Sequence, residues 1–79
     1  MTRNYSQLSF GEPFFAEAEG ITANEIAQVD VSENQFQIIY ENIECTCTRV
    51  GNLFLIGSTF VITEREARIA RVRYLKRQP

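Results

Sequence analysis

The sequence contains no histidine and a single lysine, Lys76. Without histidine the commonest general base is gone, and so is every Ser-His or Cys-His nucleophile pair. The usual nitrogen ligand of a metal site goes with it. A lysine mechanism would rest on Lys76 alone, which falls in the last turn of an expected helix, where fraying is greatest. The four glycines, at positions 11, 20, 51 and 57, are isolated. They read as turns, and neither a phosphate-cradling loop nor a dinucleotide fingerprint can be built from them.

Cysteine is scarce too. Cys45 and Cys47 are the only two, one residue apart. On a strand such a pair shares a face and rarely reaches disulfide geometry without distortion. Both are therefore expected to be reduced, and the compartment cytoplasmic. Zinc wants four ligands and Cys-x-Cys supplies two. No metal and no cofactor is expected, and two small buried residues on the inner face of a strand are the plainer reading.

Long hydrophobic runs are missing as well. The richest window is LFLIGSTFVI, residues 53–62. It is too short to span a bilayer, and MTRNYSQLSF at the start has no apolar leader segment. A soluble protein without a membrane partner is expected. With 79 residues the chain is read as one domain, 1–79. A chain of this size buries only roughly 60% of its unfolded surface, so self-association is one way to complete a thin core. The same 53–62 window motivates an expectation of a dimer or larger, because large exposed apolar surface is uncommon on monomers.

The most unusual feature present is the distribution of charge. Residues 1–62 carry two basic and eight acidic side chains, while residues 63–79 carry six basic and two acidic ones. An acidic body therefore ends in a basic segment, although the whole chain is at net −2.

Alternation points to strands through most of the body. FFAEAE, 14–19, places Phe14, Ala16 and Ala18 on one face and Glu17 and Glu19 on the other. IECTCTRV, 43–50, places Ile43, Cys45, Cys47 and Arg49 together. Gly51-Asn52 is a two-residue hairpin signal. LFLI, 53–56, is apolar on both faces, and TFVI, 59–62, follows a Gly57-Ser58 turn.

The stretch ITANEIAQVDVSENQFQIIY, 21–40, admits two readings. Thr22-Ala-Asn-Glu25 fits a capping box, and EIA followed by VS is similar to a helix-turn-helix, which would imply DNA binding. The second helix of that motif would be SENQFQIIYENI, however, which carries no Arg or Lys to meet phosphate. It would also be rich in aromatic and β-branched residues, which favour strands. In the other reading, residues 26–41 form a hairpin. Ala27, Val29 and Val31 alternate in one arm, Glu33-Asn34 makes the tip, and Phe36, Ile38 and Tyr40 alternate in the second. The hairpin is preferred, with room for one helical turn at Thr22–Glu25.

Thr63-Glu-Arg-Glu66 is a second capping box, and EREARIARVRYLKR favours a helix from 64 to about 76. Its apolar residues fall in two stripes, Ala67/Ala70/Tyr74 and Ile69/Val72, with Arg73 between them. The expected fold is α+β and mainly β: a small curled antiparallel sheet or barrel-like meander of six strands, with one C-terminal helix.

Two groups could carry function. Glu17 and Glu19 read as the solvated face of an edge strand or as an acidic binding surface. Arg68, Arg71 and Arg73 lead the basic segment. They complement the dipole at a helix end, or else meet an acidic protein or a phosphate backbone. Charge reversal separates these readings: it weakens binding in one case and lowers the melting temperature in the other. The expected function is a non-catalytic protein-binding module, a small regulator, inhibitor or subunit with a protein partner. Nucleic-acid binding through the basic segment is the alternative, and a structural subunit of a phage or mobile element fits the same features.

Overall fold

A computed structural model describes residues 20–78. The element order is α1 (Ala23–Gln28), β1 (Gln35–Tyr40), β2 (Ile43–Val50), β3 (Leu53–Ile56), β4 (Phe60–Ile62) and α2 (Glu64–Lys76). The four strands form one antiparallel sheet in the order β1-β2-β3-β4. The fold is thus mainly β, a small antiparallel meander with a C-terminal helix and one short helix before it. The strand expected at 14–19 lies outside the described residues.

Tight turns make the meander. Tyr40 pairs with Ile43, so Glu41 and Asn42 form a two-residue loop. Both have positive φ, 52° and 66°, which matches the right-handed twist of the flanking strands. Val50 pairs with Leu53 across Gly51-Asn52, where Gly51 takes φ 60°. The third connection differs from the expected two-residue turn. Ile56 pairs with Phe60, which leaves a three-residue loop, Gly57–Thr59.

The sheet is strongly curled. Tyr40 on the first strand and Phe60 on the last bring their rings to 5.9 Å between centroids. Phe36 and Phe54 meet edge-on at 6.4 Å. Phe36, Ile38 and Tyr40 of β1, Cys47 of β2, Phe54 of β3 and Ile62 of β4 line the inner face. Helix α2 closes this face, chiefly over β1, with Ala67 and Ala70. These two side chains are small enough to bring the helix close to the strands.

The first arm of the expected 26–41 hairpin is a correction. Residues 23–28 are helical, and β1 pairs with β2 rather than with a strand at 26–31. The Thr22 hydroxyl accepts from the Glu25 amide at 3.1 Å, and the Thr22 amide donates to the Glu25 carboxylate at 2.8 Å. This capping box starts α1, and burial then holds it. Ile21 and Ile26 pack with Ile69 and Val72 of α2 in a second apolar cluster. Alternation at Ala27, Val29 and Val31 arises because the chain leaves the helix extended, with Val29 at φ −66° and ψ 142°. Val31 is buried in the main core and Val29 is half-buried between the two clusters. The helix-turn-helix fails for the opposite reason: its second helix is the strand β1.

Helix α2 spans the expected residues and begins on a full capping box, Thr63 with Glu66. Its two apolar stripes have separate partners. Ala67 and Ala70 face the sheet, while Ile69 and Val72 face α1. No helix among the described residues is long and apolar enough to cross a membrane.

Candidate functional site

The arginines of α2 are held inward. The Arg68 guanidinium donates from Nη1 to the carbonyls of Ile26 (3.2 Å), Ala27 (3.3 Å) and Val29 (2.9 Å). Its Nε and Nη2 both lie 3.0 Å from Glu64 Oε2. The last carbonyls of a helix have no intrahelical donor, and α1 has no basic residue in its own last turn. Arg68 supplies the cation from the neighbouring helix, where it complements the negative end of the α1 dipole.

Arg71 donates from Nη1 to the carbonyl of Gln37 at 2.8 Å. Its guanidinium carbon stands 5.9 Å from the Phe36 ring centroid and 5.4 Å from that of Tyr74, within cation–π range. Arg73 is only 5% exposed, and its Nη1 lies 3.4 Å from the Ile39 carbonyl. Gln37 and Ile39 are alternate residues, so their carbonyls point the same way from β1. Arg71 and Arg73 therefore blunt the β1 edge of the sheet with two cations. Arg68, Arg71 and Arg73 thus each reach backbone carbonyls of the fold. Glu17 and Glu19 lie outside the described residues.

A fourth arginine does similar work. Arg49 shares the inner face of β2 with Cys45 and Cys47. Its Nε and Nη2 donate to the Ser32 carbonyl at 3.2 and 3.0 Å, and its Nη1 to the Gly51 carbonyl at 2.7 Å. It ties the loop before β1 to the β2–β3 hairpin. The alternation already placed this arginine on a buried face, where a cation must find acceptors; that signal was present in the sequence. Nearby, Asp30 accepts from the Ser32 hydroxyl (2.6 Å) and amide (2.9 Å). These bonds, the hydroxyl first, hold its carboxyl below the usual range.

The cysteines are free, Cys47 buried and Cys45 partly so. Burial pushes the Cys47 thiol up to about 11 and raises that of Cys45 as well. A thiol raised in the folded state stabilises the fold below its unfolded pKa and loses that contribution as pH climbs through the folded value. The expected result is a urea midpoint that is flat to about pH 8 and falls between pH 9 and 11. In Cys47→Ala the fall over that interval becomes shallower. An unchanged pH profile would show that Cys47 does not titrate there.

The sheet presents a different chemistry outward. No residue from Val50 to Thr63 is charged. Val50 pairs with Leu53, and Leu55 with Val61, so all four stand on the outer face. Val50, Leu53 and Val61 are 58%, 52% and 51% exposed, and Leu55 between them is half-buried. This is a continuous apolar surface across β2, β3 and β4. Among the described residues, no group of three or more Cys, Asp or Glu side chains is placed to hold a metal ion. No known family model, curated protein or solved structure matches the chain.

Proposed function

We propose that this chain is a non-catalytic protein-binding module that acts as a small regulator, inhibitor or subunit. Its contact surface is the outer face formed by Val50, Leu53, Leu55 and Val61. The observation that carries this reading is the contrast between the two surfaces. Three α2 arginines are engaged with backbone carbonyls of the body, while the uncharged β3–β4 hairpin holds its apolar side chains in water. Exposed aliphatic side chains contribute free energy when a partner removes them from water, at about 25 cal/mol per Å². The charge-free stretch adds no cost of desolvating a charge.

Affinity capture from a native lysate, with and without nuclease, tests the reading. The expected catch is protein, survives nuclease, and is lost on Leu53→Asp while the circular dichroism spectrum is kept. A catch released by nuclease and weakened by Arg65→Glu with Arg77→Glu would instead favour nucleic-acid binding. Both of these guanidinium groups lie on exposed residues and have no partner among the described residues. Turnover of a substrate by the purified chain would refute the non-catalytic reading.

A further inference from the structure

The two edges of the sheet are unlike. The β1 edge is blunted by Arg71 and Arg73, which reach the Gln37 and Ile39 carbonyls. Among the described residues β4 pairs with β3 alone. Its one protection is its length of three residues, Phe60–Ile62; it carries no lysine, no proline and no inward charge. A strand edge presents unpaired backbone N–H and C=O groups. Thr63 gives its own to Glu66 and Ala67, so the pairing groups are those of β4 itself, and the partner that satisfies them is another strand.

We propose that the partner at this edge is a second copy of the chain, joined by antiparallel β4–β4 pairing about a two-fold axis through Val61. A two-fold interface sets the same surface against itself, so a charged edge would face its own charge. This one has no charge to repel. Pairing centred on Val61 sets Val61 against Val61 on the outer face. On the inner face it sets Phe60 against Ile62 of the second copy. The ladder stops there, because Thr63 caps α2 and Glu64 is its first residue, so no acidic residue enters it. Phe60 is half exposed in the isolated chain although it stands on the inner face, because α2 lies chiefly over β1 at the other side of the sheet. The second copy supplies the missing neighbour. With the β1 edge blocked, self-pairing stops at two copies, and the product is a closed dimer with one eight-stranded sheet rather than a filament.

This inference goes beyond the protein-binding reading and does not depend on what meets the outer face. Sedimentation equilibrium of the purified chain is expected to give twice the 9.1 kDa chain mass. Val61→Lys and Val61→Glu each place like charges across the axis, and each raises the dimer dissociation constant at least about tenfold. An equimolar mixture of the two restores the dimer, because Lys then opposes Glu. Thr59→Lys charges the same edge without touching core packing and is also monomeric, which keeps the test decisive if a Val61 variant fails to fold. A wild-type monomer at high concentration overturns the proposal. So does a dimer that persists in both Val61 variants, or a mixture that stays monomeric. A monomer that still captures protein refutes the dimer alone, while a dimer that captures nothing refutes only the function proposed above.

Discussion

Replacing Ile38 with alanine lowers the unfolding midpoint by about 10–25 °C in a thermal melt. Ile38 is fully buried, at the centre of β1. It belongs to the cluster that joins Phe36, Tyr40, Cys47, Phe54 and Ile62 of the sheet to Ala67 and Ala70 of α2. Removing three of its side-chain carbons loses their transfer free energy and leaves a cavity, at a cost of about 2–5 kcal/mol. The strand is locked in register with β2 and the helix is locked over it, so the walls relax little. A domain this small has about 5–10 kcal/mol in total, and the substitution removes a large part of it. Ile38→Val costs about 1 kcal/mol. Ile43→Ala, at a position 64% exposed, shifts the midpoint by less than about 4 °C. Ile43 stands on the same inner face as Ile38, so equal effects at the two would mean that burial does not set the cost.

Arg68→Ala is expected to cost about 2 kcal/mol, from hydrogen bonds made by a charged donor. The side chain is only 27% exposed, so water replaces little of what is lost. The ion pair with Glu64, which is itself 58% exposed, contributes less than about 1 kcal/mol of this. The rest comes from the α1 carbonyls that lose their donor. The midpoint falls by about 8–16 °C. Hydrogen-exchange protection is lost first over α1, before the sheet amides open. Arg68→Lys recovers part of the loss, because an ammonium keeps the charge but lacks the planar fork that reaches carbonyls and carboxylate together. Arg65→Ala, on the exposed face of the same helix, is neutral within about 0.5 kcal/mol. An Arg68→Ala protein with an unchanged midpoint but a weakened partner catch would make Arg68 a binding residue instead.

The arginines show why residue type alone does not assign a role. Six basic side chains in the last seventeen residues look like an electrostatic surface when counted along the chain. Three of them find carbonyl oxygens in segments more than thirty positions away in sequence. Free carbonyls at the end of a short helix, or along a strand edge, have no signature in composition. They exist only once the short helix stops at Gln28 and β1 becomes an edge. Arg49 is the converse case, since its period-two placement beside Cys45 and Cys47 marked it as inward-facing.

The sequence by itself determined the elements whose causes are local. The Thr63/Glu66 capping box and good helix formers set the start and length of α2. Alternation and β-branched residues set β1, β2 and β3, and Gly51-Asn52 set the hairpin between the last two. The absence of histidine narrows the available chemistry whatever the fold. Only the tertiary structure decided residues 23–31. There a capping box and a period-two pattern disagree, and neither wins locally because one helical turn is not stable alone. Burial of Ile21 and Ile26 against Ile69 and Val72 settles it as a helix followed by an extended exit. The same contact explains the two apolar stripes of α2, which one-sided packing could not have satisfied. The tertiary structure also decided which sheet face meets water, because LFLI is apolar on both sides and α2 closes only one of them. Period and capping act over one or two turns of chain, whereas burial depends on which distant surface arrives, and that is the physical reason for the division.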